Sequence, residues 1–195
     1  MKKSQNLTEP EINETKIKIF KTAIKLLNEF GYDKLTIRKI CEESNTSIGS
    51  FYHHFDNKDD LLSYYYTEAQ NVYLTQKKAE IENKNIKEKL LLFYIWYVEY
   101  TQSFGLDFCT NFFNSKNKGI NTNLLYNSIF ETTVTYLDSA KDQIIDGRNY
   151  RQVANDLCVI CKGIIFDWCT HDGDYDMVKY TDELVSLYLN SVIKE

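Results

Sequence analysis

Apolar positions in this chain recur at intervals of three, four and seven over most of its length, the period of helices that bury one face. From Glu11 to Phe30 the stripe is Ile12, Ile19, Ala23, Leu26, Leu27 and Phe30, and Gly31 ends that helix as a C-cap. Tyr150 to Cys169 repeats the pattern in Val153, Leu157, Ile160, Ile164 and Trp168, with Ala154 and Gly163 small enough for another helix to come close. Met177, Tyr180, Leu184, Leu187, Tyr188 and Val192 make the last stripe. Glu88 to Phe104 differs, because Leu90 to Val98 is apolar all round; such a helix is expected to be buried on every side and central. Lys58 to about Ile81 reads as one long helix, and Lys77 to Lys89, charged and Asn-rich, as an exposed bend. Two more helices carry Phe108, Phe112, Phe113, Tyr126, Phe130 and Tyr136, with a break near Lys116 to Asn121. Seven Gly and one Pro are few for 195 residues. Hairpins consume turn residues, so the scarcity agrees with an all-α fold.

Three helix starts crowd into Leu35 to Leu62. Thr36 is placed to cap a helix over Ile37 to Glu43, with Leu35 and Ile40 as a hydrophobic staple. Ser44-Asn45-Thr46 breaks it, and Asn tolerates the left-handed conformation that a helix end needs. Ser47 then caps a second short helix to about His54, and Asn57 a third, with Asp59 and Asp60 near the positive end of its dipole. Two short helices joined by a tight turn form a helix-turn-helix, whose second helix fits the DNA major groove. The residues expected at DNA are Thr36, Arg38 and Lys39 on the first helix, Ser47, Ile48, Gly49, Ser50, Tyr52, His53 and His54 on the second, and Lys58 at the start of the third. Phe51 and Phe55, four apart, are expected to turn inward.

At these positions the chain resembles the tetracycline-repressor (TetR) family of bacterial transcriptional regulators. The residues that carry the resemblance are Gly31, Tyr32, Thr36, Arg38, the turn at Asn45, Ser47, Gly49, Tyr52, His54, Phe55 and Lys58. Asn45 stands where the family usually has Gly and Thr46 where it usually has Val; both are compatible with the turn. The resemblance covers the first third of the chain. It implies a reading head over residues 1–57 and a larger helical ligand-binding and dimerisation domain over 58–195, with the helix after Lys58 transmitting ligand-driven movement to the head.

Charge agrees with that division. Residues 1–58 hold ten Lys or Arg against eight Asp or Glu, whereas the rest holds thirteen against twenty, which points the amino-terminal end at phosphates within a chain of net charge -5. Lys16 and Lys18 on the first helix are expected near the DNA backbone, and Met1 to Thr8 reads as a solvated arm. The polar amino terminus lacks a signal sequence, and the apolar run Leu90 to Val98 is too short to span a bilayer, so a cytoplasmic protein without membrane contact is expected. Five cysteines, an odd number, are expected as free thiols.

The second domain is rich in rings. Most must be core, but together they make an aromatic-lined pocket plausible, which the resemblance also implies. The candidate lining is Trp96, Tyr97, Glu99, Tyr100, Phe104, Phe108, Phe112, Tyr126, Phe130 and Phe166. Glu99 on an apolar stripe suits a cation held by rings; the blander reading gives it to solvent or a lysine. The expected effector is a small aromatic or lipophilic molecule, cationic ones included. The two carboxy-terminal stripes suit a four-helix bundle with a second subunit through Val153, Leu157, Ile160, Ile164, Trp168, Leu184, Leu187 and Tyr188, supplying the two-fold axis that a palindromic operator demands; the alternative is packing within the subunit. Cys158-x-x-Cys161, with Cys169 and His171 nearby, raises a thiol or metal sensor, against which stands the habit of Cys to pack as a small hydrophobe. Asp172, Asp174, Asp176 and Glu183 match ligand positions of a calcium loop, but Met177 occupies its obligatory Gly position, so a solvated loop with an Asp cap is the better reading. No cofactor, metal or catalytic motif is expected, and an enzyme is not. The expectation is a homodimeric repressor that binds a double-stranded DNA operator and responds to a small-molecule effector. A thiol- or metal-responsive sensor and a helical binding protein that merely keeps the DNA-binding module are the alternatives.

Overall fold

The computed structural model describes residues 9–113, 126–145 and 147–194, the side chains of 9–13, 126 and 127 excepted. The arm at Met1 to Thr8, the break at Lys116 to Asn121 and the Tyr126 ring therefore lie outside the described parts. The fold is all-α; among the described residues the one β pairing is a bridge between Ile144 and Ile193. In order come α1 (Glu9–Phe30), a 3-10 turn (Tyr32–Lys34), α2 (Ile37–Glu43), α3 (Ile48–His54), α4 (Lys58–Ser63) and α5 (Tyr65–Val72). A π turn (Tyr73–Lys77), α6 (Lys78–Ile81), α7 (Ile86–Gln102) and α8 (Leu106–Phe112) follow. After a second π turn (Tyr126–Phe130) come α9 (Glu131–Asp138), α10 (Tyr150–Thr170) and α11 (Met177–Val192).

The short amino-terminal helices exist because their ends are satisfied. Thr36 accepts from the Lys39 amide at 3.2 Å and Ser47 from the Ser50 amide at 3.0 Å. Asn57 accepts from the Asp59 and Asp60 amides, both at 2.9 Å. A cap of this kind is worth about 1 kcal/mol, a large share of what a seven-residue helix has. Gly31 takes φ +78° after α1, and Asn45 takes φ +50° in the turn between α2 and α3. Leu35, Ile40, Phe51 and Phe55 are buried with Ile19, Phe20 and Leu27 of α1, so the three helices close on one small core.

The stretch from Lys58 to Ile81 is helical throughout but is not one regular helix. It bends at Tyr64 and widens into the π turn at Tyr73–Lys77. Beyond it α7 packs on α11, α11 on α10, and α10 on both α8 and α9. The amino-terminal helices join this part through α1 and α8. Asn28 Nδ2 donates to the Phe104 carbonyl at 2.5 Å, and Gly105, at φ +88°, lets the α7–α8 corner approach closely: a Cβ there would lie 2.6 Å from Asn28 Oδ1.

Two expectations need correction. The helix α7 is central but not buried on every side: Leu92 and Glu99 are exposed and Ile95 half-exposed along one face. The apolar stripe of α10 packs mostly inside the subunit, with Val153, Leu157, Ile164 and Trp168 all buried. Among the described residues no helix is long and apolar enough to cross a membrane.

Candidate nucleic-acid interface

The recognition helix α3 has two unlike faces. Phe51 is buried, as is Phe55 just beyond its end, their centroids 5.7 Å apart, while Ile48, Gly49, Tyr52 and His53 lie together on the opposite side in solvent. Tyr52 is 55% exposed. Ser47 at the helix start is also exposed, and a Cβ on Gly49 would meet only Ser47 Oγ, at 3.7 Å, so the amino-terminal turn is slim enough to come close to a duplex. The buried rings, and not Ile48, Tyr52 and His53, hold the helix in place, so these three side chains are left uncommitted in solvent.

The basic side chains are less uniformly available. Arg38 is exposed; its Nε pairs with Glu42 at 2.9 Å, an i,i+4 contact that raises the Arg pKa through the hydrogen bond. Such a surface pair is weak and yields readily to a phosphate. Lys39 lies with its ammonium 3.0 Å from the centroid of the Phe30 ring. Lys58 is turned inward: its Nζ donates to the Tyr32 carbonyl at 3.2 Å and sits 3.7 Å from the Tyr32 centroid, while the Tyr32 hydroxyl donates to Asp59. Lys58 thus ties α4 to the turn after α1, a structural task that the expected phosphate contact did not include. Lys16 points over the Tyr64 ring at 4.6 Å, whereas Lys18 is exposed. Thr36 and Ser47 spend their hydroxyls on their own helices, and Ser50 is half-buried. His54 is half-buried, with Nε2 sealed from solvent and without a hydrogen-bond partner among the described residues; burial, then His53 and Lys16, hold its pKa below the ordinary value.

The expected ligand residues divide into an interior set and an outer set. Tyr97, Phe108, Phe112 and Phe130 are buried, Tyr100 and Phe104 half-buried. Glu99 is exposed, which matches the blander expectation, and with Trp96 it borders a groove on the flank of α7. Phe166 belongs to neither set: it is 56% exposed on the outer face of α10, which removes it from any interior pocket. Rings touch in a continuous series from α7 to the recognition helix: Trp96 on Tyr100 at 5.5 Å, Tyr100 on Phe104 at 5.0 Å, Phe104 on Phe20 at 5.9 Å, Phe20 on Tyr64 at 5.4 Å and Tyr64 on Phe55 at 5.8 Å. Sequence reasoning missed Glu68, a buried acid on α5 at this joint, whose hydrogen bond and charge join burial in pushing the Tyr64 hydroxyl up to about 12. Its partner Tyr64 is only four residues back; what no periodicity marks is the burial of the acid itself.

The outer face of the last two helices carries a different stripe from the one expected. Val159 at 58%, Phe166 at 56% and Leu187 at 67% are exposed, Tyr180 is exposed as well, and Ile160, Leu184 and Tyr188 are half-buried. Positions 159, 163 and 166 share one side of α10, and a Cβ on Gly163 would meet nothing within 4 Å. Tyr188 donates to Asp156 at 2.6 Å, pinning α11 to α10.

The cysteines are all free and buried. Burial pushes the Cys158 and Cys161 thiols up, and Cys158 lies 3.5 Å from the Tyr94 hydroxyl. The fold instead places Cys109 by Cys169: Cys109 Sγ donates to the Thr101 carbonyl at 3.4 Å, and the Cys169 thiol, then burial, push the Cys109 thiol up. Asp176 accepts from the Lys179 amide at 2.9 Å and caps α11, as the loop reading supposed.

Residues 19–65, the span that holds this reading head, match the model of the bacterial regulatory proteins of the tetR family. This head is of the TetR type. An HTH-type transcriptional regulator of Bacillus subtilis, YerO, is 37% identical over 79 residues, 40% of this chain. The match spans 25% of that relative's length, and that of a second curated relative 40%. Among solved structures, a TetR transcription regulator from Haloarcula marismortui superposes with a TM-score of 0.72 at 18% identity, covering 93% of this chain and all of its own. The transcriptional regulator FadR from Bacillus subtilis, solved in complex with stearoyl-CoA, gives 0.67 at 20% identity over 89% of this chain and 97% of its own. The same fold therefore extends over most of the chain, beyond the matched head.

Proposed function

We propose that this chain is a homodimeric, ligand-responsive transcriptional repressor of the TetR type, acting in the cytoplasm, that occupies a near-palindromic operator and leaves it when a small molecule enters the larger helical part. The exposed side of α3 carries the reading: Ile48, Gly49, Tyr52 and His53 are presented in solvent by a helix fixed from behind by Phe51 and Phe55. Tyr52 and His53 supply donors for base edges or phosphate, and Arg38, released from Glu42, supplies a guanidinium. Dimerisation is supported by Val159, Phe166 and Leu187, a stripe that a second copy would cover, bringing two heads onto half-sites about one helical turn apart.

An interior effector seat is supported by polar atoms without partners. Among the described residues Tyr97 OH, Gln70 Oε1 and Ser128 Oγ are sealed from solvent with no hydrogen bond, and a buried polar group left so costs about 1–3 kcal/mol. A lipophilic molecule bearing donors and acceptors would satisfy them. Its entry would act through the ring series from α7 to Phe55 and through the Asn28–Phe104 contact, favouring a form whose heads are wrongly spaced. A differential affinity of about 1–3 kcal/mol between the two forms is the usual coupling. The thiol-sensor alternative through Cys158 and Cys161 draws less support, since both are buried and held as thiols.

Selection from a random duplex library tests the reading. Enrichment of an inverted repeat is expected, and its loss in a Leu187→Glu protein. Recovery of no sequence, or of an unpaired half-site by a folded dimer, would overturn it.

A further inference from the structure

A groove of about 310 Å³ opens on the flank of the molecule, between the π turn at Tyr73–Lys77 with α6 on one side and α7 on the other. Leu92, Ile95 and Trp96 give it an apolar and aromatic wall from α7, and Tyr73 closes its base. Tyr73 is fixed there by its hydroxyl contact with Tyr136 and by rings on two sides, Phe93 at 4.7 Å and Trp96 at 5.1 Å. The groove is therefore held open by side chains already committed to the core. The rim carries Lys77, Glu80 and Glu99. Lys77 and Glu80 neutralise one another at 3.0 Å, whereas Glu99 makes no ion pair among the described residues. An uncompensated carboxylate beside an exposed leucine and an indole repels anions, offers a neutral molecule without donors only apolar contact, and attracts a cation with an apolar body.

We propose that this groove is a ligand site for organic cations, a quaternary ammonium or protonated amine carrying an aromatic or alkyl group. The positive charge lies at Glu99 and against the indole of Trp96, and the apolar body lies along Leu92 and Ile95. The site is separate from the interior seat around Tyr97. It goes beyond the regulator reading and does not need DNA binding to exist.

The chain has two tryptophans, Trp96 and Trp168, so a Trp168→Phe protein reports on the groove alone. Its emission is followed while benzyltrimethylammonium is added, with the carbon isostere neopentylbenzene and the anion phenylacetate as controls. Because Trp168 is buried, calorimetric titration of the unaltered chain with the same three compounds runs in parallel. Saturable binding of the cation in both experiments is expected, with no binding of phenylacetate and at least about fivefold weaker binding by a Glu99→Gln protein. No saturable signal in the unaltered chain, equal affinity for neopentylbenzene, or unchanged affinity in Glu99→Gln would overturn the proposal. Affinity for operator DNA is read on the same samples. DNA binding without cation binding overturns the groove alone, and cation binding without any DNA preference supports the groove while overturning the regulator reading.

Discussion

Replacing Gly105 by Ala attacks the joint between the reading head and the rest of the molecule at one atom. Gly105 sits at φ +88° and ψ 162°, a region open essentially to glycine alone, and a non-glycine residue held there costs about 1–3 kcal/mol. The added methyl would also lie 2.6 Å from Asn28 Oδ1 and 2.9 Å from both Asn28 Cγ and Nδ2, so the amide must swing away and lose its bond to the Phe104 carbonyl. That bond contributes about 1 kcal/mol. The expected total is about 2–4 kcal/mol, measured as a lowered urea midpoint at unchanged slope. Asn28→Ala alone should cost about 1 kcal/mol. In the double variant the methyl finds no amide to displace, so the two costs should fall short of adding by about 1 kcal/mol. A Gly105→Ala protein within about 0.5 kcal/mol of the parent, or strict additivity with Asn28→Ala, would refute both the strain and the contact.

Other perturbations separate reading from folding. Tyr52→Ala should reduce operator affinity about tenfold or more while stability shifts by no more than about 0.5 kcal/mol, checked by anisotropy and urea titration, since the ring is mostly in solvent. Phe166→Glu or Leu187→Glu should give folded monomers in sedimentation, whereas a persistent dimer in both would remove the proposed stripe from the interface. His54, held below the ordinary 6.5 by burial and by His53 and Lys16, makes stability depend on pH: its contribution is intact above 6.5 and is lost as pH falls from there toward the lower folded value, because the unfolded chain takes the proton first. A His54→Gln protein should lose less stability than the parent over that window. His171 is raised by the Asp167 carbonyl and acts in the opposite sense, but it is present in both proteins and cancels from the comparison.

The reading head was legible because its determinants are local. Thr36, Ser47 and Asn57 announce helix starts by chemistry that acts over two or three residues, and each makes the expected bond. Gly31 and Asn45 take the positive φ that their positions foretold. The outer face of α10 was not legible, because a strong apolar repeat says that a stripe is buried without saying against what. Val153, Leu157, Ile164 and Trp168 meet their own subunit, and the weaker set of Val159, Gly163 and Phe166 is left outside. The same limit applies to α7, where an apolar residue at every position hid the open face of Leu92, Ile95 and Glu99. The π turn at Tyr73–Lys77 carries no Gly or Pro to mark it. The pairing of Cys109 with Cys169 joins segments 60 residues apart, whereas the sequence drew attention to the adjacent Cys158 and Cys161.

The central claim is that the exposed side of α3 reads DNA. The most direct test is binding of the purified chain to a fluorescent duplex taken from upstream of its own gene, against unrelated DNA and across a salt series. Saturable binding by a dimer is expected, well above the competitor and weakened at least about tenfold between roughly 50 and 200 mM salt. A folded dimer with no preference for that duplex at any salt would contradict the account.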